Sequence, residues 1–226
     1  MKKIIVAIDG PSGAGKSTVG KLLAKRLGYI YIDTGAMYRA IGLKAVREGV
    51  EPVEGPELKA LCGRTDVRLE QGGGETRVLV DGEDVSREIR TPEMGMMASA
   101  ISAQPCVRAR LLELQREMGR RGGVVLEGRD IGTVVFPEAE AKFYLDADAR
   151  ERARRRYDEF RARGLDVDFD RTVEEVKKRD YDDSNRDIAP LKKAKDAVVV
   201  DSSSMSADEV VELMKEHVEK TVAGRG

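Results

Sequence analysis

Residues 4–8 form a continuous apolar run, Ile-Ile-Val-Ala-Ile, rich in β-branched side chains. An unbroken run of that kind marks a central parallel strand covered on both faces. The period then changes. Val19, Leu22, Leu23 and Leu27 recur at helical spacing with Lys21, Lys25 and Arg26 between them, and Gly28 stands where a helix C-cap glycine belongs. Further short apolar runs fall at residues 29–32, 124–126, 143–145 and 197–200, each flanked by helical or polar sequence. Strands alternating with helices predict an α/β fold, a central parallel five-stranded sheet between helical layers.

Two stretches depart from that rhythm. Between residues 66 and 85, Val67-Arg68-Leu69 and Arg77-Val78-Leu79-Val80 alternate as half-exposed strands do, with turns expected at residues 71–75 and at Asp81-Gly82. This reads as a small antiparallel insertion or as a surface hairpin without further role. Residues 150–163 carry Arg152, Arg154, Arg155, Arg156 and Arg161 among Glu151, Asp158 and Glu159, a pattern usual for a solvated helix face. The residues after Val218 are expected to fray.

Composition narrows the class. Hydrophobic residues are 41% and charged residues 36% of 226, and the net charge is -1, so a soluble globule with no global field for nucleic acid or membrane is expected. Cys62 and Cys106 lie outside any CxxC or Cys/His cluster, which argues against a disulfide framework or zinc site and suits a reducing compartment. The apolar run near the N-terminus is too short for a signal or membrane helix, so the expectation is a cytoplasmic protein. His217 reads as a solvated helix residue.

The chemistry enters at Gly10-Pro11-Ser12-Gly13-Ala14-Gly15-Lys16-Ser17, followed by Thr18, which matches G-x-x-x-x-G-K-[ST] between a strand and a helix. Polyphosphate needs many donors at close range, so such a loop turns its backbone N–H groups inward, and glycines permit the dihedrals. Lys16 supplies a mobile cation for the β- and γ-phosphates, and Ser17 a hydroxyl for Mg2+ at an anion-favouring helix start. A GTPase is disfavoured, because the nearest string to a guanine-reading N/T-K-x-D, Lys177-Lys178-Arg179-Asp180, begins with Lys.

A second anion site is expected from residues 33–39, after the second strand, and residues 127–133, after the third, since both fall at the carboxyl edge of the sheet. Each offers an arginine, and with Arg186 they could form a phosphate site facing the P-loop. Two facing phosphate sites imply phosphoryl transfer. Asp130 could accept from a cytosine amine while Arg108 donates to its O2 or N3, or Asp130 could simply pair with an arginine.

The strings GPSGAGKST, DTGAMYRA, DGEDVSREIRTPE, ASAISAQPCVRARLLELQR, EGRDIGTVVFP, RARRRYDE and RDYDDSNRDIAPL with its trailing DSS closely resemble the bacterial cytidylate kinases over nearly the whole chain. The resemblance implies a single cytidylate-kinase-like domain of 226 residues. Its P-loop core would be residues 1–60, 92–148 and 185–226, its monophosphate-binding insertion about 61–91, and its helical lid about 149–166. It implies phosphorylation of CMP, and of dCMP, by Mg-ATP through direct in-line transfer, in pyrimidine nucleotide metabolism. Carried over by position, Arg39, Arg129 and Arg186 resemble the monophosphate ligands, with Ser12 nearby; Ser99, Arg108 and Asp130 the base readers; and Arg179 and Asp183 the ribose contacts. Thr34 stands where relatives often have serine, keeping the hydroxyl and adding a methyl. Lys16, Arg129, Arg186, Arg154 and Arg155 would carry the charge of the transition state. With both sites empty, several guanidinium groups of residues 150–163 are expected to lack partners and stay solvated, leaving the segment mobile. A monomer acting on small molecules, without nucleic-acid or membrane partners, is the expected assembly.

Overall fold

The computed structural model describes residues 3–72 and 75–224, and these fall in two compact units, one of residues 3–31 with 121–224 and one of the described residues between 32 and 120. The expected turn through Gly73 and Gly74 lies outside the described residues.

The first unit is built on a five-stranded sheet. β1 (Ile5–Asp9) is central, between β6 (Val124–Gly128) and β7 (Ala141–Asp146), with β8 (Val198–Asp201) beyond β7 and β2 (Ile30–Asp33) beyond β6. β1 pairs in parallel with both neighbours, and Asp9 stands opposite Gly128 and Tyr144. That register brings the residues after β1 beside those after β6. α1 (Lys16–Leu27) buries Val19, Leu23 and Ala24, and Gly28 ends it in the left-handed conformation, as the apolar spacing predicts. α8 (Ala207–Ala223) packs on α1 and carries a reciprocal Ser206/Glu209 capping box. The core is one cluster including Ile4, Val6, Ile8, Phe143, Leu145, Val200 and Met214. α8 continues well past Val218, whose burial, with Val222 packed on the same cluster, holds the last turn that polarity alone marks as frayed. His217 is half-buried edge-on to Phe143, 5.4 Å between ring centres, rather than freely solvated.

After β7 come α6 (Ala149–Ala162) and α7 (Phe169–Asn185), capped at their starts by Asp148 and Asp168. They pack on each other, with Tyr157 and Phe169 edge to face at 5.7 Å.

The second unit contains α2 (Thr34–Glu48), α3 (Pro56–Arg64), β3 (Val67–Gly72), β4 (Glu75–Val80), β5 (Glu83–Asp84), α4 (Pro92–Ser102) and α5 (Pro105–Gly119). The three strands form a separate antiparallel sheet in the order β3-β4-β5, so the alternating stretch is an antiparallel insertion. Val67, Val78 and Val80 bury their side chains with Met37, Ile41, Leu58, Leu61, Ile101 and Leu111, so the small sheet belongs to the unit's own core.

Candidate active site

The loop after β1 is shaped by what surrounds it. Gly10 has φ +150°, and a Cβ there would stand 1.9 Å from the Leu145 carbonyl oxygen; at Gly13, φ +80°, it would meet the Arg152 carbonyl at 2.7 Å. Neither position admits a side chain. Gly15 adopts a left-handed conformation before α1 and offers no side-chain cap, which leaves the first N–H groups of the helix for an anion. Pro11, Ser12, Ala14 and Lys16 are buried, while Ser17 and Thr18 are exposed at the helix start. Lys16 Nζ donates to the Pro11 carbonyl at 2.6 Å. Burial, then the Arg129 guanidinium, pushes the Lys16 ammonium down to about 7, against the pull of Glu127.

Asp9, the last residue of β1, accepts from the N–H groups of Ile131 at 2.8 Å and Gly132 at 2.7 Å. These bonds tie the π-helical turn Ile131–Val135, and hence Asp130 before it, to the foot of the P-loop. Burial pushes Asp9 up to about 6 although those N–H groups oppose it. Glu127, buried at the end of β6, receives the Tyr31 hydroxyl.

Around the end of β6 the same unit gathers a cationic group. Arg129 Nε donates to Asp183 at 2.8 Å, Arg179 lies 3.9 Å from the same carboxylate, and Arg186 lies 3.8 Å from Asp130. Arg186 also donates to the Ala189 carbonyl at 2.8 Å. Burial raises the Asp183 carboxyl, but Arg129 and Arg179 outweigh it and hold it below the usual range. Ser12 is buried and its hydroxyl accepts from Arg156 at 3.2 Å and Arg179 at 3.5 Å.

The arginines of α6 are engaged, contrary to the expectation that they stay solvated with no substrate present. Arg155 donates to the Ser202 carbonyl at 2.7 Å and to its hydroxyl at 3.1 Å. Arg154 lies 4.4 Å from the centre of the Phe169 ring. Arg152 is buried against Asp180. Helical spacing divides the run: positions 152, 155 and 156 face the P-loop, and 150 and 154 face Phe169.

In the second unit, Asp33 caps α2 through Ala36 N–H at 2.9 Å and pairs with Arg39 at 2.9 Å. Burial raises Asp33, but the Arg39 guanidinium leads the opposing influences and the net direction is down. Arg39 Nε is buried with no hydrogen-bond partner among the described residues. Thr34 is buried at the start of α2. Arg108 is buried, donates to the Ser102 carbonyl at 3.2 Å and lies 5.8 Å from the Tyr38 ring centre. Ser99, half-exposed on α4, accepts from Ser102 through its carbonyl at 2.9 Å. Sequence reasoning missed Asp9, Glu127 with Tyr31, Arg152 with Asp180, and Ser202. The available signal was position, since Asp9 and Glu127 are charged residues ending otherwise apolar runs at the edge where ligands bind.

A parallel sheet whose central strand feeds a glycine loop with a buried lysine, beside a cluster of arginines at the next strand end, defines a P-loop kinase. The fold agrees: a gluconokinase from Sinorhizobium meliloti 1021 superposes with a TM-score of 0.51 at 13% identity, covering 100% of this chain and 98% of that one. The profile of the family described as cytidylate kinase matches residues 6–220, and the chain belongs to that family of nucleoside monophosphate kinases. The cytidylate kinase of Geobacter sp. (strain M21) is 56% identical over 97% of this chain and 94% of its own. That of Caldicellulosiruptor bescii is 49% identical over 98% of both.

Proposed function

We propose that the protein transfers the γ-phosphoryl group of Mg-ATP to CMP, and to dCMP, in line and without a covalent intermediate. The observation that carries this reading is the juxtaposition, at neighbouring strand ends of one unit, of the P-loop with its buried Lys16 and of the Arg129, Arg179 and Arg186 group. One feature suits a triphosphate, the other an acceptor anion, and the name of the relatives supplies cytosine as the base.

Gly10, Pro11, Ser12, Gly13, Ala14, Gly15, Lys16, Ser17 and Thr18 hold the ATP phosphates. Arg39, Arg129 and Arg186 hold the monophosphate, with Ser12 and Thr34 nearby; Ser99, Arg108 and Asp130 read the base; Arg179 and Asp183 meet the ribose. The acceptor is already an anionic oxygen, so no general base is required. Positioning and charge neutralisation do the chemistry. Lys16 leaves the Pro11 carbonyl for the β- and γ-oxygens, and Arg129 and Arg186 hold the attacking phosphate. Arg154 and Arg155 close over the transferring group. Their present partners include a ring face and the carbonyl of Ser202, and a polyphosphate's charge competes well against either.

The residues fit Mg2+ arriving on the nucleotide. Ser17 offers an exposed hydroxyl at the start of α1, and among the described residues no three His, Cys, Asp or Glu side chains cluster as an independent cage. Ser17 would hold the ion, which when bound neutralises charge on the β- and γ-phosphates.

Among the described residues no helix is long and apolar enough to cross a membrane. We place the enzyme in cytoplasmic pyrimidine nucleotide metabolism, as a monomer acting on small molecules rather than on nucleic acid. A coupled ADP-release assay with CMP, dCMP, UMP and AMP tests the reading. Rapid turnover of CMP and dCMP is expected; faster turnover of UMP or AMP, or none of any, refutes it.

A further inference from the structure

A phosphate-binding loop that turns its N–H groups toward an anion turns the attached carbonyls the other way, because C=O and N–H of one trans peptide point in opposite directions. Whatever holds the carbonyl of residue i from behind therefore aims the N–H of residue i+1. Here both outward carbonyls are held. The Ser12 carbonyl accepts from Arg152 at 3.0 Å, and the Ala14 carbonyl from the Ser202 hydroxyl at 3.1 Å and Arg155 at 3.5 Å. The next residues are Gly13 and Gly15, at φ +80° and +91°, whose peptide planes nothing in their own side chains restrains.

Arg152 is committed to this task. Its Nε donates to the Ala147 carbonyl at 2.8 Å, and its fork meets both oxygens of Asp180 at 3.1 and 2.6 Å while reaching Ser12. The side chain is buried, its charge is balanced by a carboxylate, and its backbone closes the space beside Gly13. A phosphate oxygen could recruit it only by breaking a two-pronged ion pair from a buried guanidinium, whereas Arg155 has a single 3.3 Å contact to the half-exposed Glu151 and Arg154 rests on a ring face. We propose that Arg152, oriented by Asp180, is a positioning residue that aims the Gly13 N–H at the ATP phosphates and touches no substrate. Ser202 does the same for Gly15. A lysine cannot replace it, since one ammonium cannot span the Ala147 and Ser12 carbonyls and a bidentate carboxylate in a planar fork.

The proposal rests on the P-loop being the ATP site, and the test separates the two. Equilibrium binding of Mg-ATP and steady-state KM for ATP and CMP are measured for Arg152→Lys, Ser202→Ala and Lys16→Ala, with thermal melts to establish folding. For Arg152→Lys the expectation is a cooperative melt, at least ~10-fold weaker ATP binding with a matching rise in KM for ATP, and a CMP KM within about twofold of wild type, as for one lost charge-assisted hydrogen bond. Ser202→Ala is expected to move ATP binding the same way by a smaller factor, and it decides the matter if Arg152→Lys does not fold. Wild-type ATP affinity in the folded variant, or equal losses for ATP and CMP, overturns the proposal. Near-normal turnover in folded Lys16→Ala overturns the site reading and this proposal with it, whereas a lost kcat there beside wild-type ATP affinity in Arg152→Lys overturns this proposal alone.

Discussion

Asp183→Asn is the most direct probe of the acceptor-side cluster. The carboxylate is buried, with side-chain exposure of 4%, and it lies 2.8 Å from Arg129 and 3.9 Å from Arg179, themselves 16% and 15% exposed. Asparagine keeps the shape and one acceptor but removes the charge, leaving two guanidinium groups close together without their counter-ion. Two unit charges ~4 Å apart interact by about 4 kcal/mol at an effective dielectric of ~20. Breaking a buried pair from one side costs ~3–5 kcal/mol, and the retained acceptor puts the expectation at ~3. For a chain of this size ~3 kcal/mol lowers Tm by roughly 6–12 °C. The effect should also depend on pH. Because the folded protein holds Asp183 below its ordinary value of 3.8, the stabilisation is fully present above that value and is lost as pH falls through the folded value. Urea unfolding of both proteins from pH 7 to pH 3 should therefore show a gap that is constant near neutrality and closes in acid. A gap under ~0.5 kcal/mol at pH 7, below the cost of breaking even a partly buried pair, would refute the reasoning. So would a gap that ignores pH.

Lys16→Ala should lower kcat at least ~100-fold, about 2.7 kcal/mol of barrier, in a protein that still melts cooperatively; near-normal turnover would contradict the role given to the P-loop. Asp130→Ala should narrow the ratio of kcat/KM for CMP over UMP by about tenfold or more, the worth of one matched polar contact, whereas equal losses for both would make Asp130 a partner of Arg186 only. Gly10→Ala should abolish tight ATP binding and cost at least ~2 kcal/mol of stability, because its Cβ meets the Leu145 carbonyl oxygen at 1.9 Å and must move β7 or the loop; a wild-type Tm and ATP affinity would count against so close an approach of β7 to the loop.

Much of the fold was legible because its signals are local. The five apolar runs became the five strands within a residue or two at most ends, and the left-handed Gly28 ends α1 where the sequence places a cap. The antiparallel sheet followed from alternation and from Asp81-Gly82. Strand order was not legible, since β1 pairs with β6 and β7 across more than a hundred residues of chain, and no local pattern encodes that. The length of α8 was misjudged for a related reason: Val218 and Val222 are held by a core assembled from distant strands, which overrides the polarity of their neighbours.

The site divides in the same way, between chemistry carried by a residue's identity and chemistry carried by its partners. Lys16 declares itself, because a lysine after a glycine loop has one ready explanation. The arginines of α6 do not. Seven arginines fall within residues 150–163, and composition gives them equal claim to a phosphate. What separates them is the acceptor each already has: Asp180 for Arg152, the oxygens of Ser202 for Arg155 beside a weaker contact to Glu151, and the Phe169 ring for Arg154. A buried guanidinium whose fork is already matched to both oxygens of a carboxylate is a strut, since moving it leaves two charges unpaired. One resting on a ring face or a carbonyl can exchange that partner for a polyphosphate at small cost. The same helix can thus brace the P-loop with one residue and close over the substrates with its neighbours, and it does so by varying only what stands opposite each arginine.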